Sequence, residues 1–278
     1  MLRIAAIEFL NAAPLMWGLE ADGRFDLRHT LPSACADALG ERSADLGVIP
    51  VIELARIPGL VALSGIGVAS GEGAAEAGEV RSILLISRVP LAQVRSLALD
   101  PASRTSAALA QILLRQRFGA DFELQPARSA WRLTMAECDA ALMIGDPALR
   151  LRISGEAEAA GLATHDLARV WQEWTGVPFV FALWGIRLPV WESNQAWLPQ
   201  RLMQALAEGW SQREALVAAW APRLGLPAGE VRHYLERNVA YRLGPAHQEG
   251  LRRFFALAAA DGLVPAAAPP PLLEMAPA

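Results

Sequence analysis

Lysine is absent from this 278-residue sequence, so all 25 of its basic residues are arginine. That excludes Schiff-base chemistry, pyridoxal phosphate attachment and the phosphate-loop lysine. Arginine can grip an anion bidentately, but it stays charged and makes a poor general base. Cysteine is scarce. Cys35 and Cys138 stand far apart with no CxxC partner, which leaves no zinc knuckle and no redox pair, and both are expected to be small buried hydrophobes. His29, His165, His233 and His247 are scattered without the spacing of a metal site, so no metal is expected. No GxGxxG follows a strand, which leaves a dinucleotide-binding fold without support. No apolar run approaches the roughly 20 residues of a membrane span, and a net charge of −4 argues against a nucleic-acid partner.

What is present is apolar: 53% of the residues are hydrophobic, and the length suits two domains of common size. Arg3–Ile7 enters a strand at once, without the apolar segment and cleavage site of a secretory signal, so a cytoplasmic location is expected. The chain says something twice. Ile4–Leu19 reads as strand, polar turn and a helix beginning near Pro14, and Leu97–Leu114 repeats that order. Ala44–Pro50 leads into a short helix at Val51–Arg56, and Cys138–Pro147 leads into another at Ala148–Arg152. Such alternation implies α/β architecture with mostly parallel sheets, whose ligands sit beyond the carboxyl ends of the strands. Asn11, Pro50, the Ser103–Ser106 turn and Asp146 all fall at such ends.

Two lobes with a cleft between them follow from the duplication. Residues 1–86 with 188–264 are expected to form lobe one, and 87–187 lobe two. The apolar strands Arg81–Ser87 and Phe179–Arg187 are candidates for the two crossings, and Ser70–Gly78 reads as a surface loop. Pro199–Leu263 reads as amphipathic helices whose apolar positions, such as Leu202, Leu206 and Trp210, face a core. The Pro/Ala-rich segment 265–278 is expected to be disordered.

Ser96–Leu114 carries the sharpest functional signal. A short apolar strand stops at Asp100-Pro101, and Ser103, Thr105 and Ser106 then open a long apolar helix. Hydroxyls at a helix start satisfy free backbone N–H groups, and the same N–H groups bind carboxylates. Plain capping and a carboxylate cradle both fit this segment.

FLNAAPL (Phe9–Leu15), DLGVIPVIEL (Asp45–Leu54), VRSILLISR (Val80–Arg88), SRTSAALAQILL (Ser103–Leu114), DAALMIGDPAL (Asp139–Leu149) and EWTGVPFVFALW (Glu173–Trp184) occur in that order. Together they resemble the chorismate dehydratases of the futalosine route to menaquinone, over about residues 3 to 264. The resemblance implies a two-lobed type 2 periplasmic-binding-protein-like fold. It implies loss of water from chorismate to give 3-[(1-carboxyvinyl)oxy]benzoate, with no cofactor, in a monomer or homodimer. By position it implies Asn11 and Ser82 as catalytic residues and Ser103, Thr105, Ser106, Gly145 and Asp146 as substrate-binding ones. Phe9-Leu10-Asn11-Ala12 departs from the family's more usual Tyr-Leu-Asn-Thr and so lacks two hydroxyls near the cleft.

The ring hydrogen that such a reaction removes is conjugated to the ring carboxylate, which can take up the charge before hydroxide leaves. The protein must hold a dianion and stabilise growing charge. No histidine lies in the motifs, so the base is either a carboxylate of the chain, such as Glu8, Glu53 or Asp146, or the substrate's own enolpyruvyl carboxylate. Arg104 is expected to serve structure or to gate the cleft. Two other readings compete: a solute-binding protein for a small carboxylate, and the dihydroxynaphthoate synthase of the same pathway, which relies on a cleft histidine.

Overall fold

A computed structural model describes residues 1–72, 78–128, 130–265 and 272–273. The apolar runs become strands, gathered into two sheets. The larger runs in the order β11-β4-β10-β3-β1-β2, with β12 beside β4. It is built from β1 (Leu2–Ile7), β2 (Phe25–Thr30), β3 (Leu46–Pro50), β4 (Leu60–Ala69), β10 (Val180–Arg187), β11 (Ala240–Arg242) and β12 (Leu272–Leu273). The smaller runs β7-β6-β8-β5-β9, from β5 (Ile83–Ser87), β6 (Ser96–Ala98), β7 (Glu123–Gln125), β8 (Ala140–Ile144) and β9 (Ala163–Asp166). Every residue of β3 and β5 is buried, as near-continuous apolar runs between helical layers should be.

The sheets are more mixed than the alternation implied. β1 pairs parallel with β2 and β3, and β6 with β7 and β8. β10 runs antiparallel between β3 and β4, and β5 antiparallel between β8 and β9. The two antiparallel insertions are the strands that follow each passage between lobes. A chain arriving from the other lobe enters its new sheet against the direction of the resident strands.

This moves the crossings. β5 lies wholly in the smaller sheet and β10 wholly in the larger, so the chain has left the larger sheet after Ala69 and joined the smaller by Ile83, and it returns at residues 176–179, ahead of both strands. The crossings are tied together. Ser70 N–H donates to the Phe179 carbonyl at 2.9 Å, and Phe179 N–H donates to Ser70 Oγ at 2.9 Å. Ser70 is therefore buried and does not begin a surface loop; residues 73–77 of that expected loop lie outside the described residues. At its far end the first crossing is pinned by the buried Asp166 carboxylate, which accepts from Val80 N at 3.0 Å and Arg81 N at 2.6 Å. The same carboxylate caps the helix Leu167–Thr175 through Ala168 and Arg169 N–H.

Helices Leu198–Ser211, Arg213–Leu224, Ala228–His233 and Pro245–Ala260 return over the larger sheet, interrupted by β11, which the reading of that region as purely helical did not include. Phe179 packs edge-on against Trp171 and Phe254, with ring centres 5.2 and 5.0 Å apart. The second crossing is thereby bound into an aromatic core shared with the last helix. Gly250 allows that helix its approach: a Cβ there would stand 2.1 Å from the Pro178 carbonyl oxygen. Within segment 265–278, Leu272 and Leu273 run parallel to Ala62 and Leu63, and Ser64 Oγ donates to the Leu273 carbonyl. Disorder does not describe these two residues; 266–271 and 274–278 lie outside the described residues.

Candidate functional site

A narrow pocket opens where the strand ends of the two lobes meet. Phe9 and Asn11 reach it from the turn after β1, Pro50 from the end of β3, Ser103 and Ser106 from the helix start, and Ile144 and Gly145 from the end of β8. The lobes are closed over it. Leu10 N–H donates to Asp146 Oδ1 at 3.1 Å, Ser33 N–H to the Ala102 carbonyl at 3.1 Å, and Ile52 N–H to Thr105 Oγ1 at 3.3 Å. Phe9 lies against Gly145, where a Cβ would stand 2.6 Å from its ring. Arg104 clasps lobe one from the base of its helix, with both oxygens of Asp37 at 2.7 and 2.9 Å and Glu53 Oε2 at 3.0 Å.

The residues singled out from sequence separate into three groups. Asn11, Ser103, Ser106 and Gly145 line the pocket. Ser103 also caps the helix Arg104–Ile112, its Oγ accepting from Ser106 N at 3.3 Å, so capping and pocket lining coexist. Thr105 and Asp146 are engaged in closure, since the hydroxyl of one and the carboxylate of the other receive N–H groups from the opposite lobe. Ser82 is buried and is not among the residues that line the pocket; it precedes the lining residue Ile83, and its carbonyl accepts from the lining residue Gly145 N at 2.8 Å. Among the alternative bases, Glu8 is exposed, while Glu53 is buried and held by Arg56 at 2.7 Å as well as Arg104. None of the four histidines lines the pocket. His247 is buried and engaged away from the pocket, with Gly244 N and Glu72 Oε1 each 3.2 Å from its Nδ1 and the Ser70 carbonyl 3.0 Å from its Nε2.

Tyr234 was not legible as a site residue. Its hydroxyl lies 2.8 Å from Ser82 Oγ, and the Asn11 side chain reaches the same phenol. It opens a π-helical turn, Tyr234–Asn238, directly after the helix Ala228–His233. Such turns shift the helical register and recur at functional sites. In sequence the region shows only amphipathic periodicity. The available signal is that the chain has two tyrosines, each a phenol needing a partner in an apolar stretch. Asn11 Oδ1 is buried without a hydrogen-bond partner among the described residues. An acceptor in that state costs free energy unless a ligand or water supplies a donor.

Burial pushes Asp146 up to about 6 from its ordinary 3.8, against the opposing pull of Leu10 N–H, Arg150 and Arg223, with Glu8 adding to the rise. The folded chain therefore keeps this proton over a range in which the unfolded chain has lost it. The stability that Asp146 contributes is complete below the ordinary value and is lost as pH rises through about 6. Asp146→Asn retains an acceptor for Leu10 N–H but carries no charge. Its melting temperature relative to the parent should rise between about pH 4 and pH 7, as followed by thermal denaturation across that range. A parent–variant difference independent of pH would show that the carboxylate is not titrating in its buried state.

A family model described as menaquinone biosynthesis matches residues 2–260. A chorismate dehydratase of Thermus thermophilus is 29% identical over 262 residues, covering 88% of this chain and 91% of that protein. Among solved structures, a protein of Archaeoglobus fulgidus superposes with a TM-score of 0.73 at 16% identity, over 95% of this chain and 98% of that one. The periplasmic aliphatic sulphonate binding protein of Escherichia coli gives 0.64 at 18% identity, over 100% and 94%. These structural likenesses establish the two-lobed periplasmic-binding-protein-like fold. Among the described residues no helix is long and apolar enough to cross a membrane.

Proposed function

The chain belongs to the menaquinone-biosynthesis family, and from that premise we propose that it is a chorismate dehydratase, a lyase that removes water from chorismate to give 3-[(1-carboxyvinyl)oxy]benzoate. The observation that carries the reading is the buried, unpartnered Asn11 Oδ1 in the same pocket as Ser103, Ser106 and the start of the helix Arg104–Ile112. The pocket offers a carboxylate a helix N-terminus and two hydroxyls, and offers a substrate hydroxyl a waiting acceptor. Hydrogen bonds to a charged group contribute roughly 1.5–3 kcal/mol each, and the helix dipole adds about 0.3–1 kcal/mol.

In this reading Ser103 and Ser106 hold the ring carboxylate, where charge grows as the ring proton departs, and Gly145 forms the opposite wall. Asn11 and Ser82 hold the hydroxyl that leaves. Aromatisation makes the elimination strongly downhill. Of the chain's candidate carboxylates, Glu53 is held by two arginines, Asp146 receives Leu10 N–H, and Glu8 is exposed and outside the pocket lining. That supports the substrate's enolpyruvyl carboxylate as the proton acceptor. The buried engagement of His247 weighs against the synthase reading, which calls for a histidine in the cleft. Incubating the purified chain with chorismate, followed by ultraviolet absorbance and mass spectrometry, should show a product lighter by one water. Chorismate bound but recovered unchanged would support a carboxylate-binding protein instead.

A further inference from the structure

We propose that Tyr234 is a positioning residue, its phenol donating to Ser82 Oγ so that the Ser82 hydrogen is directed at the hydroxyl that leaves the substrate. This rests on the dehydratase reading and adds to it a residue from the far end of the chain.

The two oxygens are 2.8 Å apart, with both residues buried. A pair at that distance shares one hydrogen. If serine donated, its only hydrogen would be spent on the phenol and Ser82 would offer the cleft an acceptor alone. If the phenol donates, the Ser82 hydrogen is free. A phenol is the stronger acid of the two and so the better donor. Burial, together with the Asp146 and Asp166 charges, raises the Tyr234 pKa, which keeps that hydrogen in place. Asn11 reaches the same phenol. Tyr234 thus joins two candidate residues that lie far from it and from each other in sequence.

The surroundings are built to hold this contact. Helix Ala228–His233 and its π-helical continuation dock on residues 79–82 at three points. Glu230 pairs with Arg81 at 2.9 Å, Tyr234 meets Ser82, and Asn238 Nδ2 donates to the Glu79 carbonyl at 3.1 Å. On the other side, Asp166 fixes Val80 and Arg81 through their N–H groups. Arg81 takes a left-handed φ of 56°, uncommon for a residue with a side chain. Strain of that kind persists where surrounding structure over-determines it, and it clusters at functional sites.

Tyr234→Phe keeps the ring and removes the hydroxyl. Its kcat on chorismate should fall by roughly tenfold or more, with KM changed by less than about threefold, because the lost interaction matters most as charge develops on the leaving oxygen. In the double variant Ser82→Ala/Tyr234→Phe, the second change should cost no more than about twofold beyond Ser82→Ala, since the phenol acts through the serine. A normal kcat in Tyr234→Phe, or fully additive losses, overturns the assignment while leaving the dehydratase reading intact. A parent chain that does not convert chorismate overturns both. Should Tyr234→Phe fail to fold, the parent sequence labelled with 3-fluorotyrosine gives two fluorine resonances, one for each tyrosine. Chorismate or its product should shift the Tyr234 resonance in the parent and much less in Ser82→Ala. Equal shifts in both overturn the assignment.

Discussion

Asn11→Ala should slow chorismate turnover by roughly ten- to a thousandfold, the usual cost of losing one preorganised polar group at a charged transition state. The same variant should melt within a few degrees of the parent or slightly above it. Asn11 sits on the short 3-10 turn Leu10–Ala12, where its side chain neither caps a helix nor satisfies a backbone group. Its Oδ1 is already unpartnered, so truncation removes a buried acceptor that costs stability in the unliganded protein, which offsets the loss of the side chain's contact with the Tyr234 phenol. Catalytic loss with retained or improved stability is the signature of a residue placed for a ligand. Steady-state kinetics and a thermal melt on one preparation decide it. Near-parent turnover, or loss of rate accompanied by a large drop in melting temperature, would make Asn11 a structural residue.

Gly145→Ala should lower kcat/KM by about ten- to a hundredfold, equivalent to about 1.4–2.7 kcal/mol. Gly145 opens the helix Gly145–Ser154 with φ 66°, a left-handed conformation that costs a residue with a Cβ about 1–2 kcal/mol. The added methyl would also stand 2.6, 2.7 and 2.9 Å from three carbons of the Phe9 ring. Phe9 and Gly145 belong to opposite lobes, so the clash falls on closure: the lobes must part, and Leu10 N–H loses Asp146. Backbone strain and obstructed closure are separable. Adding Phe9→Leu to Gly145→Ala removes part of the ring while leaving φ unchanged, and it should recover part of the lost kcat/KM without recovering melting temperature. A double variant as slow as the single one would assign the whole effect to local strain.

Fold and pocket were legible in sequence where the signal is local. The strand–turn–helix units around Asn11 and Ser103 could be read because apolar runs ending in polar turns need no tertiary context, and the Ser103 cap is a matter of neighbouring residues. The sheet to which a strand belongs was not legible. Ile83–Ser87 and Val180–Arg187 are apolar on both faces, so nothing in them shows that each already lies inside its lobe. Ser70 misled because small, Gly-rich composition marks loops in general, while here a serine pairs two crossings. Thr105 and Ser106 are adjacent hydroxyls at one helix start, and which of them lines the pocket depends on how the helix is rotated by packing. Tyr234 reaches Ser82 only through long-range docking, which no local pattern encodes.

The position of β10 governs how the chain can assemble as it is synthesised. β10 separates β3 from β4 at the centre of the larger sheet, yet β4 ends at Ala69 and β10 begins at Val180. The N-terminal strands therefore emerge first and wait, two apolar strands with open edges, until the whole smaller sheet has been made. The smaller sheet draws all its strands from one unbroken stretch, Ile83–Asp166, and can close by shorter-range pairings. Short-range pairings form fastest, so lobe two is the half that should organise first on the ribosome. The exposed interval of β3 and β4 is when this protein is most open to edge-to-edge association. The helices that follow β10, including the turn that carries Tyr234, then seal a cleft to which Asn11 had already been contributed by the turn after β1.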